Sequence, residues 1–224
     1  ASWLRALYRY PQRAFPYGPL VEKNARRSAE DPEYELRDTG IFEGGRFFDI
    51  EVAYAKAAPD DILIRISATN RGPDAAPLWI LPALWFRNRW TWDPARPKSA
   101  ALRAGSACLV EAQEEQIGKW ELGGPAADEV LFTENETNAA LLFGTPNASP
   151  FTKDAFHRYL VGGESAAVNP ALAGTKAAPL YRRELAAGES WEIRLRLRKS
   201  GTPDAGEFGS VMDLRSRECA EFLD

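Results

Sequence analysis

An all-β fold, a sandwich or barrel of antiparallel strands, is what this sequence predicts, and three observations carry the prediction. Apolar and polar residues alternate with a period of two over residues 48–54, 62–68 and 190–198, the pattern of strands that bury one face. Turn residues recur between such runs, as in Pro59-Asp60-Asp61 and Asn70-Arg71-Gly72-Pro73-Asp74, which suits hairpin connections. Stretches with helical periodicity are few and short, and strands at regular spacing with few helices indicate two packed sheets or a closed one.

Taken in order, residues 3–10 read as an opening strand, and Pro11, Pro16 and Pro19 break regular structure after it. Leu20–Arg27 reads as a short helix that stops near Ser28–Pro32. Tyr34-Glu35-Leu36 opens a short strand closed by Asp38-Thr39-Gly40. Phe48, Ile50, Val52 and Tyr54 then share one face of a strand, and Ile62, Ile64, Ile66 and Ala68 one face of its hairpin partner. The run 77–90 reads as a strand that begins buried on both faces and ends by carrying Arg87, Asn88, Trp90 and Trp92 to the open end of a sheet. Further strands are expected at 106–112, 117–122, 129–134, 138–143, 178–186 and 190–198. In the last of these Trp191, Ile193, Leu195 and Leu197 face a core, opposite a charged face of Glu192, Arg194, Arg196 and Arg198. The long connection Thr145–Lys176 is expected to hold one short helix at Lys153–Leu160, and Asp213–Leu223 reads as a terminal helix.

Composition narrows the function. The chain has 224 residues, 45% of them hydrophobic, enough for a sizeable core. Its 32 acids outnumber its 28 bases, and a net charge of -4 with pI near 5.3 argues against nucleic acid as the main partner. Cys108 and Cys219 are too few for a disulfide framework and read as free thiols. One histidine and no Cys-x-x-Cys leave no metal-ligand cluster, and no cofactor is expected. No apolar run is long enough to span a membrane, and no signal-peptide pattern opens the chain. A start at Ala1 rather than Met points to an excised segment or a processed terminus; the expected compartment is the cytoplasm.

Four polar-aromatic clusters are the candidate sites. Arg87-Asn88-Arg89-Trp90-Thr91-Trp92 sets flat rings beside fixed hydrogen-bonding groups, which suits the faces and hydroxyls of a sugar. The competing reading has the tryptophans covering the end of the sandwich while the arginines snorkel. Phe132-Thr133-Glu134-Asn135-Glu136-Thr137-Asn138 supplies Glu134 and Asn138, or is simply a hairpin tip. Lys153-Asp154-Ala155-Phe156-His157-Arg158-Tyr159 holds Asp154 and the lone His157 at i and i+3, a spacing that local charge pairing also explains. Gly174-Thr175-Lys176-Ala177-Ala178 lacks the upstream glycine of a phosphate loop, so Lys176 is read as a contact to another domain. The sequons Asn135-Glu136-Thr137 and Asn147-Ala148-Ser149 are short patterns and are discounted. Asp93, Glu134, Glu136 and Asp154 are the acids inside these clusters, and sequence alone pairs none of them across the gap that glycoside hydrolysis requires.

These clusters lie on a resemblance. Leu7-Tyr8-Arg9-Tyr10-Pro11-Gln12, Phe15-Pro16-Tyr17, Pro32-Glu33-Tyr34-Glu35-Leu36 and Asp38-Thr39-Gly40-Ile41-Phe42 begin it. It continues through Asp61-Ile62-Leu63-Ile64-Arg65-Ile66, Leu84-Trp85-Phe86-Arg87-Asn88, residues 132–138, Lys153-Asp154-Ala155-Phe156-His157 and residues 174–178. In these motifs the chain resembles the β-sandwich region of large bacterial proteins related to glycoside hydrolase family 63, the processing α-glucosidases. The resemblance implies a two-sheet supersandwich of the galactose mutarotase kind over residues 1–212, incomplete at its N-terminal end. It implies that 213–224 begin a linker helix towards an (α/α)6 barrel that carries the catalytic acids, so that no catalytic residue maps onto this chain. Arg87, Asn88, Trp90, Trp92, Glu134, Asn138, Asp154, His157 and Lys176 then become substrate-rim or interdomain candidates. The partners are the barrel, an oligosaccharide, and a second chain at an unpaired sheet edge. Two rivals differ in class. A mutarotase-type epimerase would need His157 as acid or base with an opposed carboxylate. A carbohydrate-binding module would need Trp90 and Trp92 exposed and coplanar.

Overall fold

The computed structural model describes residues 2–92 and 98–223. It begins with strand β1 (Trp3–Pro11), helix α1 (Tyr17–Ala25) and two 3-10 turns at Leu36–Thr39 and Glu43–Gly45. Strands β2 (Phe47–Ala58), β3 (Asp61–Asn70), β4 (Ala76–Ile80), β5 (Leu84–Trp85), β6 (Ala101–Ala104), β7 (Val110–Glu114), β8 (Gly118–Gly123) and β9 (Glu129–Thr133) follow. Helices α2 (Ala139–Phe143) and α3 (Ala155–Leu160), strands β10 (Ala173–Gly174), β11 (Lys176–Leu185) and β12 (Ser190–Lys199), and helix α4 (Phe208–Leu223) complete the order.

The strands form two antiparallel sheets, as the alternation predicts. The first has eight strands in the order β1-β2-β3-β12-β8-β7-β6-β10. The second is narrow: β11 runs down its middle, with β9 on one side and β4 and β5 on the other. Phe48, Ile66, Leu102, Val110, Leu122, Phe132, Tyr181 and Leu195 are buried in the core between them. Each sheet also carries a helix on its outer face. Val211 and Met212 of α4 close over Ala53, Ala55 and Leu63, and Phe156 of α3 closes over Leu131, Ala178 and Leu180. This explains why Leu63, on the polar side of the β3 alternation, is fully enclosed. Buried Asn70 ties the pieces together. Its amide donates to Asp74 O (2.8 Å) and Leu185 O (2.9 Å), while its oxygen accepts from Gly72 N (2.8 Å) and Gln12 Nε2 (2.7 Å).

Several expected elements are corrected. The strand at 138–143 is helix α2, because the Asn138 side chain caps it by accepting from Leu141 N (3.1 Å) and Gly144 ends it at φ 67°. Residues 132–138 are therefore no hairpin tip, and β9 pairs with β11 instead. The strand at 34–36 is replaced by the turn Leu36–Thr39, where Glu35 N donates to Asp38 Oδ2 (2.8 Å). The run 77–90 is one strand interrupted: Tyr181 faces Ile80 and Ala177 faces Leu84. That unbroken register sets Pro179 opposite Pro82, two residues without N–H groups, so the ladder lapses between β4 and β5. Nor is it buried on both faces, since Trp79 and Trp85 are 48% and 56% exposed. The strand at 106–112 starts only at Val110, after a bend. The terminal helix starts five residues earlier than expected, at Phe208. Among the described residues, no helix is long and apolar enough to cross a membrane.

Candidate functional site

Four connections meet where β11 begins. The stretch after β5 (86–92), the stretch after β9 (134–138), the lead into α3 (151–154) and the β10–β11 junction all lie at this end of the second sheet. The register explains why: Lys176 faces Thr133 on one side and Trp85 on the other. At the junction a Cβ on Gly174 would sit 2.2 Å from Thr133 O, so only glycine lets the strands approach this closely.

Buried Thr175 is the pivot. Its hydroxyl donates to Glu134 Oε2 (2.6 Å) and accepts from Asn135 N (2.9 Å). The Asn135 side chain donates to Phe86 O (2.9 Å), and the Asn88 side chain donates back to Asn135 O (2.9 Å). Trp90 Nε1 donates to Glu136 Oε1 (2.9 Å). Lys98 Nζ lies 2.5 Å from Glu134 and 3.6 Å from Glu136, so one ammonium joins both carboxylates. On the rim the Arg87 guanidinium lies 5.2 Å from the ring centre of Trp92, which is 67% exposed. A pocket of about 320 Å³ opens beside Arg87, Arg89, Trp90, Ser99 and Glu114.

The network continues below. Asp154 accepts from Asn138 Nδ2 (3.0 Å) and Thr152 Oγ1 (2.5 Å), and Thr133 Oγ1 donates to Thr152 O (2.8 Å). Burial works against the charge of Asp154, but these hydrogen bonds outweigh it and hold its carboxyl below the ordinary range. Lys176 Nζ donates to Lys153 O (2.9 Å) and lies 5.0 Å from the ring centre of Phe156. Burial first, and then neighbouring Lys153, pull its pKa below the usual lysine value.

Of the residues singled out from sequence, Asn88, Trp90, Glu134, Asn138, Asp154 and Lys176 belong to this one network, and Arg87 and Trp92 border it. His157 does not. It is exposed on α3, and among the described residues its side chain makes no hydrogen bond or ion pair. The expected Asp154–His157 pairing is absent because Asp154 is turned to Asn138 and Thr152. Asp93 lies outside the described residues. Both sequon amides are engaged, Asn135 with Phe86 and Asn147 with Asn138 (2.9 Å). Lys98 lies outside all four clusters, and Thr175 lies inside the fourth without being singled out. Their roles come from partners at least 36 positions away in sequence, and no local spacing announces them.

Chemically, the arrangement is a rigid polar surface, not an open acid–base pair. Glu134 and Glu136 are both in contact with Lys98, and each also accepts from an internal donor. Among the described residues, no group of three or more His, Cys, Asp or Glu side chains is placed to hold a metal ion.

The fold and this end surface define an antiparallel two-sheet β-sandwich with a bonded loop platform. No protein-family model matches the chain. It is similar to a protein of Saccharomyces cerevisiae that is described only as uncharacterized, with 32% identity over an alignment of 268 positions. That alignment takes in 99% of this chain and 25% of the yeast protein, so the chain spans about a quarter of the length of the curated relative it matches.

Proposed function

We propose that this chain is a non-catalytic β-sandwich domain of a glucosidase-like glycoside hydrolase. In this reading its loop platform faces an (α/α)6 catalytic barrel and helps to wall the substrate pocket. One observation carries the reading: four connections from distant parts of the chain are bonded into a single rigid surface, with exposed Trp92 and Arg87 at its rim. Such a surface suits positioning through stacking and hydrogen bonds, which contributes to rate by orienting a substrate. The internal engagement of Glu134, Glu136 and Asp154 argues against bond-breaking by this chain. Similarity to a quarter of a much longer protein supports a place inside a larger polypeptide. Two unpaired thiols support a cytoplasmic setting.

The test uses the longer natural polypeptide and α-linked glucose oligosaccharides. Trp92→Ala combined with Arg87→Ala should lower kcat/KM about tenfold, with unchanged thermal unfolding. The 224-residue chain alone should give no turnover. Hydrolysis by the isolated chain, or full activity in the double variant, would overturn the proposal.

The binding-module reading draws on the exposure of Trp92 alone, because the Trp90 indole is half-buried and tied to Glu136. The epimerase reading draws on His157 alone, which is exposed on α3 and whose side chain makes no hydrogen bond or ion pair among the described residues.

A further inference from the structure

The two sheets are unequal in width. Register places Tyr8 opposite Ile50 and Leu4 opposite Tyr54, so these residues share the inner face of the first sheet. A groove of about 500 Å³ runs between that face and the strand β4–β5 of the second sheet. Tyr8, Tyr10 and Tyr54 on its floor are 56%, 46% and 39% exposed, on the face of a sheet that elsewhere forms the core. Among the described residues no strand pairs with the far side of β4–β5.

The direction of that edge can be read. Phe86 N donates to Thr175 O (3.1 Å), towards β11. Carried back along the strand, that parity turns the amides of Trp79, Leu81, Ala83 and Trp85 outward, over the groove. An edge of free donors and acceptors above an apolar floor is a template for one more strand.

We infer that this groove seats an extended segment with alternating apolar residues, which adds to the second sheet alongside β4–β5 and covers Tyr8, Tyr10 and Tyr54. The inference rests on the reading of the chain as a domain of a longer polypeptide, and that polypeptide supplies the segment. Three observations select this occupant. No charged side chain lines the groove, which disfavours anionic ligands and leaves only tyrosine hydroxyls and tryptophan N–H groups for a glycan. The first sheet reaches beyond that edge at β1, whose inner-face Leu4, Tyr8 and Tyr10 remain 54%, 56% and 46% exposed. A second folded copy presenting the same edge would drive its own overhang into the first, whereas a single extended strand fits. The matched yeast protein has three quarters of its length outside the aligned region, and a polypeptide of that kind has ample chain to provide one.

Hydrogen exchange decides the matter when the 224-residue chain is compared with the longer natural polypeptide. The amides of Trp79, Leu81, Ala83 and Trp85 should exchange about a hundredfold more slowly in the longer protein. Ala83→Pro removes one outward donor. It should lower the Tm of the longer protein by about 3 °C and leave that of the 224-residue chain unchanged. Equal fast exchange in both proteins, or a photo-cross-link from position 83 to another copy instead of to the same chain, would overturn the inference. Glycosidase activity is not the readout. Slow exchange in a longer protein without turnover supports the strand seat and removes only the glucosidase reading.

Discussion

Asp61 is completely enclosed, and both its oxygens accept from the Arg196 guanidinium, at 2.8 and 2.5 Å. Hydrogen bonding to Arg196 holds its carboxyl below the ordinary value of 3.8. A depressed carboxylate pKa means that the unfolded chain takes up the proton first. The stabilisation is therefore complete above about pH 4 and is lost as pH falls through the depressed value. Asp61→Asn should cost about 3 kcal/mol in urea unfolding at pH 7 and flatten the acid limb of the stability profile. Thr175→Val should cost about 1–3 kcal/mol, since it removes a hydroxyl that serves both Asn135 N and Glu134 in a buried setting. The cheap control is Thr175→Ser, which keeps the hydroxyl and should recover most of the loss. Gly174→Ala drives a methyl into Thr133 O and should cost at least about 2 kcal/mol by the same measurement. Leu172 is the one described non-glycine residue at positive φ, 51°, and is half exposed. Leu172→Asn should stabilise by about 0.5–1 kcal/mol, a gain visible as a higher Tm.

At the scale of elements, helix α4 shows how a polar-looking face becomes a core. Val211 and Met212 rest on two alanines of β2, Ala53 and Ala55, whose small side chains let the helix approach the sheet. Met212→Ala should cost about 2–4 kcal/mol by urea unfolding, because Met212 is 1% exposed and its removal leaves a cavity. The long alternating strands were legible in the sequence because alternation is local: Phe48, Ile50 and Val52 declare their face without reference to a partner. The strand expected at 138–143 failed for an equally local reason that was read the wrong way. Asn138 reads as a turn residue, yet it stands one position before Ala-Ala-Leu-Leu, where its oxygen caps a helix. The interruption between β4 and β5 was half legible. Pro82 is visible in sequence, but its damage depends on facing Pro179, a partner that only the sheet register assigns.

For the whole molecule, the decisive property is the mismatch between a broad sheet and a narrow one. The isolated 224-residue chain should bind 8-anilinonaphthalene sulfonate at its open groove while fully folded, and Ile64→Glu on the groove wall should abolish the signal without unfolding the chain. An unchanged signal would place the dye elsewhere. The candidate site was legible as four clusters, and the structure brings three of them together with Lys176, the first residue of β11, while leaving His157 out. Clusters can be seen because polar-aromatic runs stand out locally. Their convergence cannot, because it follows from β9 pairing with β11 and not with the segment after it.

By itself, then, the sequence determined the all-β character, the inward faces of the long strands and the residue types available for recognition. Each of these is written in spacing over a few neighbouring positions. Only the tertiary structure decided that Lys98 joins Glu134 to Glu136, that Thr175 locks two connections, and that one face of the broad sheet is left open. Those outcomes depend on which strands lie side by side, and pairing between segments 36 to 135 residues apart is fixed by how the whole core packs, not by any local pattern.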